Sequence, residues 1–341
     1  MTMRLRTVAT LCLLPVLAAG PATAVLAGPP TGSPDASTRA EPTTRVLAIS
    51  VDALNPRAMT KLGRDALPHL WRLVDHGAAT LNARAQYELT NTLPNHTSML
   101  TGRRIKRSSG GHGVTWNSDR PGTTVQQAAG HAVASVYTVV HADGGTTAFF
   151  GTKSKFSLFE RSWDAGIDRI MLREEQDLRV VRATRADLLT QHRAFTFLHL
   201  GGADRTGHAH GFMSPAYLRA VRRVDALVGK LLAAIDRHEE LGDLIVVLTA
   251  DHGGVGPSHS QVAELGDMRV PFVVWGPGVR HGDLYAMNPS YKNPGRTRPD
   301  VAGRQPVRNG DLANLVTDLL GLGPVPGSLF NAKQKLQVSA H

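Results

Sequence analysis

An α/β fold, with a mainly parallel central sheet and helices on both faces, is the class that this 341-residue sequence predicts. Short apolar runs, which are typical of buried strands, alternate with segments whose apolar residues recur every three or four positions. Several of the apolar runs end at an acidic residue or a histidine, and no internal repeat interrupts the alternation. Such alternation favours parallel strands joined by crossover helices. We therefore expect one domain over residues 45–332, followed by a tail over residues 333–341.

The first 27 residues predict a secretory signal peptide. Two arginines precede an apolar stretch over about residues 8–19, and small residues suited to cleavage follow it. The stretch is shorter than the ~20 residues that a membrane-spanning helix needs. Cys12, the one cysteine of the chain, lies inside it, so we expect a mature protein without thiols or disulfides. The sequence thus predicts a secreted protein, extracellular or in the cell envelope.

The first predicted elements follow a polar leader. Residues 28–44 are rich in Pro, Ser, Thr and Gly, a composition typical of disorder. The apolar run Val46–Val51 predicts a buried strand that ends at Asp52. The segment "PNHTSMLTGR" then predicts a helix that begins at Asn95, directly after a proline.

The second half of the chain continues the alternation. "SVYTVVHADGGTTAFFG" predicts helix, glycine turn and strand, and "RADLLTQHRAFTFLHLGGAD" predicts a helix, the strand Phe195–Leu200 and a loop. A long amphipathic helix follows, with Ser214 as its N-cap and Pro215 as its first residue. "DLIVVLTADHG" and "VPFVVWGPGV" predict two more buried strands, and "GDLANLVTDLLG" predicts a closing helix. Neither a P-loop nor a dinucleotide-binding glycine fingerprint is present.

Three predicted strands end in side chains that can bind a metal ion. In parallel sheets, ligands gather beyond the carboxyl ends of the strands, so we expect these side chains to lie together. Carboxylates that are packed together need a counter-charge, which divalent cations supply. Aspartate and histidine ligands without cysteine suit zinc, with manganese or iron as alternatives. One strand-terminal aspartate is more often a helix cap or turn former, so the prediction depends on the combination. The six candidates are Asp52, Asp204, His208, Asp251, His252 and His259.

The segment "ELTNTLPNHTSMLTGRR" indicates what the metals act on. Thr92 lies near the start of the predicted helix, where backbone amides favour an anion. A metal ion beside the Thr92 hydroxyl would make it a usable nucleophile near neutral pH. The alternative is that Thr92 only caps the helix.

Five ordered elements of the sequence resemble the alkaline phosphatase superfamily, and within it the nucleotide pyrophosphatase/phosphodiesterase branch. They are Asp52, "TNTLPNHTSMLTG", "DRTGH", "ADHGG" and "PSH". The resemblance covers about residues 45–330 and implies an alkaline phosphatase-like fold with two zinc ions. It implies that one zinc ion is held by Asp52, Thr92, Asp251 and His252, and the other by Asp204, His208 and His259. Thr92 is then the nucleophile, and Asn95 holds a non-bridging phosphoryl oxygen.

The sequence departs from this branch at two segments. "PSHS" lacks the glycine that such proteins usually have beside the histidine, which leaves His210 as the alternative to His259. The basic loop "RRIKRSSGGHGVTWN" is longer than expected; His112 and Asn117 either line the pocket or belong to a solvated loop. The other histidines are expected to be structural: His96, His131, His141, His192, His199, His238 and His281.

The resemblance implies an exported two-zinc hydrolase of phosphoric esters, phosphodiesterase-like in type. Alternatives are a phosphomonoesterase, a phosphonate hydrolase, a sulfatase, or a metal-stabilised binding protein without activity. A sulfatase is disfavoured because its nucleophile is a modified Cys or Ser. Diesters are expected to be preferred, since "TNTLPNHTS" contains no cation for the extra charge of a monoester; the nearest along the chain are Arg103 and Arg104.

The chain is basic, with 38 Lys and Arg against 28 Asp and Glu, a formal net charge of +10. Such a surface favours anionic partners. A small anionic phosphoester is the expected substrate. Contact with nucleic acid or a membrane surface is compatible with the charge, but no specific motif supports it.

Overall fold

The computed structural model describes residues 44–339. The predicted signal peptide, the predicted leader up to residue 43, and residues 340–341 lie outside the described residues. Within this range, the chain folds around one eight-stranded sheet with the order β4-β3-β5-β1-β6-β7-β2-β8. The strands are β1 (Arg45–Val51), β2 (Ala78–Arg84), β3 (Thr147–Gly151), β4 (Arg169–Leu172), β5 (Phe195–Leu200), β6 (Leu244–Thr249), β7 (Arg269–Trp275) and β8 (Gly282–Asp283).

Helices cover the sheet in two groups. The helices are α1 (Pro56–Ala66), α2 (Pro68–Asp75), α3 (Thr92–Thr101), α4 (Val125–Ala129), α5 (Val136–Ala142), α6 (Ser157–Trp163), α7 (Asp177–Thr190), α8 (Gly202–His210), α9 (Pro215–Ile235), α10 (Leu265–Met268), α11 (Leu284–Met287) and α12 (Leu312–Leu319). Helix α9 packs against α2, α7 and α8, while α12 packs against α3 and α5. No helix between residues 44 and 339 has the length and apolar character that crossing a membrane requires.

The sheet is mostly parallel, as predicted. Strands β4, β3, β5, β1 and β6 are neighbours and all run in the same direction, whereas β7 is antiparallel to both β6 and β2. Strand β1 lies between β5 and β6, and Ser50 is in register with His199 on one side and Thr249 on the other. All residues of β1, β5 and β6 are buried, which explains why these strands read as continuous apolar runs.

Several predicted elements are confirmed. Strand Phe195–Leu200 has the predicted bounds, and the long helix begins at Pro215 with the Ser214 hydroxyl accepting a hydrogen bond from the Tyr217 backbone N–H. Strands β2 and β4 have no counterpart among the predicted elements. Strand β4 is only four residues long, and β2 carries polar residues that break an apolar run.

Two helix predictions are wrong, and both errors bear on the site. Helix α3 begins at Thr92 rather than Asn95, since a proline fits in a first turn, where its missing N–H needs no partner. The predicted loop after β5 is instead helix α8. The Asp177 carboxylate accepts hydrogen bonds from the backbone N–H groups of Gly201 and Gly202 and so caps α8 from a distant part of the chain. The local sequence, with its two glycines, gives no sign of that cap.

Candidate metal centre

Three adjacent strands deliver three aspartates to one edge of the sheet. Asp52 directly follows β1, Asp251 follows β6, and Asp204 lies in the first turn of α8 after β5. Asp52 and Asp251 are fully buried, and Asp204 is nearly so. The predicted gathering of these side chains at the carboxyl edge therefore matches the structure.

Asp52, Asp251 and His252 form the first group of candidate ligands, with atoms close enough to share one ion. His252 Nε2 lies 3.2 Å from Asp251 Oδ2 and 3.5 Å from Asp52 Oδ1. His252 Nδ1 lies 2.9 Å from the carbonyl oxygen of Gly253 and donates its proton there. This hydrogen bond leaves the Nε2 lone pair facing the carboxylates, as in a metal-ligating histidine.

Asp204, His208 and His259 form the second group. Because α8 is a helix, Asp204 and His208 lie one turn apart on the same face, with His208 Nε2 3.4 Å from Asp204 Oδ1. His259 Nε2 lies 3.0 Å from His208 Nε2 and 3.7 Å from Asp204 Oδ1. Its Nδ1 donates to the carbonyl oxygen of Thr90 at 2.7 Å. His210, the alternative ligand, is exposed as the last residue of α8, and its side chain makes no hydrogen bond or ion pair with residues 44–339.

His252 joins the two groups. Its ring stacks on that of His259 with centroids 3.7 Å apart. Asp204, His252 and His259 also offer ligand atoms close enough for one ion. The division of ligands between two ions therefore remains a prediction from the resemblance.

The unpaired atoms of this cluster fit metal ions. Asp52 Oδ1, Asp204 Oδ1, Asp251 Oδ2 and His252 Nε2 are buried and have no hydrogen-bond partner. Buried polar atoms in folded proteins are normally paired, so four unpaired acceptors in one cluster call for an explanation. Divalent cations would satisfy all four, and zinc accepts this combination of carboxylate oxygens and imidazole nitrogens.

The charges and burial at the centre shift the pKa values of its two most buried acids, Asp52 and Asp251, in opposite directions. Burial and the negative charge of Asp52 raise the pKa of Asp251 well above its usual value. Burial also raises the pKa of Asp52, but Lys153 and His199 more than offset that effect and hold the pKa well below its usual value. Burial lowers the pKa of His252, which keeps its ring neutral and able to bind a metal.

Lys153 is a member of the centre that sequence reasoning missed. It lies two residues after β3, and its Nζ contacts Asp52 Oδ2 at 2.5 Å, Asp204 Oδ2 at 2.7 Å and Thr92 Oγ1 at 3.3 Å. The signal that revealed Asp52 was available here as well, since Lys153 follows a buried strand of the same parallel sheet. A lysine at a strand end does not stand out as a metal ligand, because its ammonium group has donors and no acceptor.

His199 and His96 were predicted to be structural, and both touch the centre. His199, on β5, lies with Nε2 2.9 Å from Asp52 Oδ2. His96 lies with Nδ1 2.8 Å from the Thr92 carbonyl oxygen and 3.6 Å from Asp251 Oδ2. Both rings pack edge-on against Phe156. They orient the predicted ligands from the apolar side of the centre.

Thr92 is the first residue of α3 and does not cap it, because Asn91 occupies the N-cap position. Its hydroxyl faces the Lys153 ammonium, which also touches Asp52 and Asp204. The Lys153 ammonium therefore contacts both the predicted nucleophile and one carboxylate from each candidate group.

The predicted role of Asn95 does not agree with the structure. Its Oδ1 accepts hydrogen bonds from the Gln86 backbone and the Asn309 side chain, and its Nδ2 donates to two backbone carbonyls. An Asn side chain has no further capacity for a phosphoryl oxygen. Asn117 is placed where that role requires an amide. Its Oδ1 accepts from the Leu93 backbone N–H at 2.9 Å, directly beside Thr92, and its Nδ2 donates to no atom of residues 44–339.

The basic loop after α3 turns its charges away from Thr92. The Arg103 guanidinium donates to the carbonyl oxygens of Gly110 and Pro326, and Arg104 pairs with Glu88 at 2.9 Å. His112 is buried against the Ser98 hydroxyl, and burial lowers its pKa to about 3. His112 therefore supports the loop, and of the two candidates there only Asn117 approaches Thr92.

Comparisons with known proteins identify the family and the fold. The family model for type I phosphodiesterase / nucleotide pyrophosphatase matches residues 46–299. GPI ethanolamine phosphate transferase 1 of Neurospora crassa is 32% identical over 171 residues, which are 46% of this chain and 17% of that protein. Human ectonucleotide pyrophosphatase/phosphodiesterase family member 7 is 37% identical over 95 residues, 28% of this chain and 18% of that protein. The chain thus spans less than a fifth of the length of these relatives.

Solved structures show the same fold. An inactive variant of murine ectonucleotide pyrophosphatase / phosphodiesterase 5, in complex with AMP, superposes with a TM-score of 0.64. The match covers 86% of this chain and 99% of the murine chain at 14% sequence identity. The unmutated murine protein gives a TM-score of 0.63. The predicted alkaline phosphatase-like fold is therefore confirmed.

Proposed function

The chain belongs to the type I phosphodiesterase / nucleotide pyrophosphatase family, and from this premise we propose that it is an exported, two-metal hydrolase of phosphoric esters with Thr92 as nucleophile. The observation that carries the proposal is the Thr92 hydroxyl at the start of α3, facing a cluster of buried carboxylates and histidines with unpaired atoms. A catalytically inactive binding protein would have no need to keep a hydroxyl at that point.

The chain's own residues support a two-step reaction. Thr92 Oγ1 forms a bond to phosphorus as the bond to the leaving oxygen breaks, which gives a phosphothreonine. Water then cleaves that ester and restores the hydroxyl. Divalent metals, most suitably zinc, would lower the pKa of the hydroxyl and stabilise the charge of the phosphoryl group.

Asn117 replaces Asn95 as the amide that we propose for a phosphoryl oxygen. The hydrogen bond from Leu93 N–H to Asn117 Oδ1 fixes the amide beside Thr92 and leaves Nδ2 as a donor. Asn95 instead anchors the loop before α3 through Gln86 and Asn309. Its replacement would disturb the position of Thr92 rather than remove a contact to substrate.

Transfer to an alcohol is the second candidate, because several relatives are named GPI ethanolamine phosphate transferases. A phosphothreonine can be discharged to an alcohol as well as to water. The second ligand group is open to such an acceptor, since the His208 side chain is 49% exposed. Hydrolysis remains our proposal, with transfer as a competing outcome of the same intermediate.

One assay separates these possibilities. The purified mature chain, loaded with zinc, is offered an aryl phosphodiester, an aryl phosphomonoester and an aryl sulfate, each with and without ethanolamine. We expect both phosphate esters to be hydrolysed and the sulfate to be inert, and acid quenching to trap phosphate on the peptide that contains Thr92. Turnover that depends on ethanolamine would favour the transferase. No phosphoester turnover and no phosphopeptide would overturn both candidates.

The basic charge gathers partly in one region away from the centre. The cations there lie on α7 and α9, line two neighbouring clefts and form no ion pair with carboxylates of residues 44–339. They are Arg179, Arg182, Arg185, Arg223 and Lys230, and Arg237 lies two residues beyond α9 in one of the clefts. Contact of this surface with nucleic acid or a membrane, like export itself, remains a prediction from the sequence.

A further inference from the structure

We propose that Lys153 is a substrate-binding residue that favours a doubly charged phosphoryl group, so that monoesters depend on it far more than diesters do. The inference rests on the proposed function, because it assumes that phosphorus approaches Thr92 Oγ1. It concerns a side chain that the resemblance did not assign.

The position of Lys153 is the first argument. Its side chain is 15% exposed, and its Nζ lies 3.3 Å from Thr92 Oγ1, the atom that would bond to phosphorus. The other basic residues considered for this role are held elsewhere: Arg103 by backbone carbonyls and Arg104 by Glu88. Of these three residues, Lys153 is therefore the one placed to touch an oxygen of the incoming phosphoryl group.

The fold holds the Lys153 loop close to the centre. A Cβ added at Gly201 would lie 2.7 Å from Thr152 Oγ1 and 3.7 Å from Lys153 Cε. The Thr152 hydroxyl itself lies 3.1 Å from His199 Nδ1. A glycine at 201 thus permits the close approach of the loop, and His199 fixes the residue beside Lys153.

The balance of charge is the second argument. While the Thr92 hydroxyl keeps its proton, as substrate binds, the three carboxylates of Asp52, Asp204 and Asp251 against two divalent cations leave one net positive charge, which matches the single negative charge of a diester. The Lys153 ammonium brings a second positive charge, which matches a monoester phosphate that is nearly doubly charged. With metals on the carboxylates, Lys153 is no longer needed as their counter-ion, while Thr92 Oγ1 remains its neighbour.

This inference overturns the reason for expecting a diester preference. That expectation depended on the absence of a cation near Thr92 along the chain. In the folded chain a cation does lie beside Thr92: it is Lys153, 61 positions further along the sequence.

The test compares Lys153→Met with Lys153→Arg and with the control Lys61→Met, at an exposed lysine of α1, in the zinc-loaded protein. For Lys153→Met we expect kcat/KM to fall about 100-fold or more for p-nitrophenyl phosphate, but about tenfold or less for bis-p-nitrophenyl phosphate. Lys153→Arg should recover part of the monoester activity. Lys61→Met should keep the wild-type ratio, because the Lys61 side chain is exposed on α1 and contacts no predicted ligand in residues 44–339.

A binding measurement gives a readout that does not depend on turnover. Calorimetry of inorganic phosphate with zinc-loaded Thr92→Ala and Thr92→Ala/Lys153→Met should show about tenfold or more weaker binding in the double variant. Metal content and thermal unfolding confirm that each variant is loaded and folded; Lys153→Gln replaces Lys153→Met if the latter does not fold.

Two results would overturn the inference: equal losses for monoester and diester, or phosphate affinity that is unchanged without Lys153. If the wild type hydrolyses neither ester but phosphate binding still requires Lys153, the proposed hydrolysis fails, while the assignment of Lys153 as a phosphate-binding residue stands.

Discussion

The metal centre and the region around Arg84 and Arg308 both bury charged side chains, but they pair those charges in opposite ways. At the metal centre, three buried aspartates and His252 retain atoms with no hydrogen-bond partner. At the β2 edge of the sheet, Arg84 and Arg308 are both fully buried, yet they are surrounded by acceptors. Arg84 donates to the backbone carbonyls of Asn82, Gly295 and Thr297.

Arg308 follows the same pattern as Arg84. Its guanidinium donates to the carbonyl oxygens of Ala85, Pro299 and Asp300 and to the side chain of Gln305. Burial lowers the pKa of both arginines to about 10, which still leaves them charged at neutral pH. Burying a charge is costly unless it is paired. The complete pairing of the two arginines therefore indicates a structural role, whereas the unpaired atoms of the metal centre indicate that it binds a ligand.

Replacement of the predicted nucleophile should have the largest effect. Thr92→Ala should lower phosphoesterase kcat/KM by ~10³-fold or more without unfolding the chain, since nucleophile and metals act as a unit. Thr92→Ser keeps the hydroxyl and should retain part of the activity. Steady-state kinetics and circular dichroism measure both. Near wild-type activity in Thr92→Ala would mean that the nucleophile is another residue, with Thr90 the next to test.

Metal removal tests the unpaired atoms directly. The purified chain should carry about two zinc equivalents, and a strong chelator should abolish activity and lower the melting temperature. The stability lost is on the order of 4 kcal/mol for metal present at 1,000 times its dissociation constant. Elemental analysis and calorimetry measure the two quantities. Less than half an equivalent of metal, with activity indifferent to chelation, would contradict the interpretation of the unpaired atoms.

The second ligand group is tested by a pair of histidines. His259→Ala should weaken metal binding about tenfold or more, because its Nε2 lies among the atoms of Asp204 and His208. His210→Ala should leave metal content unchanged, because His210 is the exposed last residue of α8. Zinc titration of both variants decides between them, and the reverse pattern would make His210 the ligand.

The paired region should respond in the opposite sense. Arg308→Met leaves several buried acceptors without a donor, so the free energy of unfolding should fall by about 3 kcal/mol while metal content stays at the wild-type value. Arg296→Met removes an exposed arginine from the same part of the chain and should change stability by about 0.5 kcal/mol or less. Urea unfolding and metal analysis check both. Loss of metal in a folded Arg308→Met protein would break the distinction between the two regions.

The smallest effect concerns a buried acid that is partly paired. Burial raises the pKa of Asp311 to about 7, although the Arg308 backbone N–H donates to its Oδ2 at 2.7 Å. The folded chain then keeps a proton that the unfolded chain loses near pH 4, so Asp311 stabilises the fold at low pH and loses that contribution as pH rises towards 7.

Asp311→Asn isolates this contribution. Its stability relative to wild type should rise between pH 5 and pH 8 by roughly 1–3 kcal/mol, as urea unfolding at several pH values would show. The exposed Asp300→Asn serves as control and should leave the pH dependence unchanged. A difference between Asp311→Asn and wild type that does not vary with pH would contradict the raised pKa.

The sequence predicts those residues of the centre that lie directly after a strand. Strands β1, β5 and β6 are buried on both faces, so each can be recognised in the sequence as an apolar run. Asp52, Asp251 and His252 follow directly from that rule. The sequence predicts Asp204 and His208 as well, but it predicts a loop where they lie on a helix, because the cap that starts α8 comes from Asp177.

Other parts of the centre depend on contacts between distant segments. Asn117 contacts Leu93, beside Thr92, from 24 positions further along the chain, beyond the end of α3, whereas Asn95 matches only by its proximity to Thr92 in sequence. Lys153 and His199 reach Asp52 through the order of strands in the sheet, which no local pattern encodes. His199 lies within the apolar strand β5, and its sequence neighbours alone predict a structural core residue. Its contact with Asp52 becomes evident only from the pairing of β5 with β1.

The place of β1 between β5 and β6 has a consequence for fluctuations. Opening any of these three strands requires breaking two ladders at once and exposing residues that are wholly buried, so their backbone amides should exchange with solvent only through global unfolding. The two-residue strand β8 at the far edge can open locally at much lower free energy. The candidate ligands that follow β1, β5 and β6 should therefore be attached to the part of the chain whose amides exchange most slowly. Local opening of β8 at the distant edge should leave the distances between these ligands unchanged.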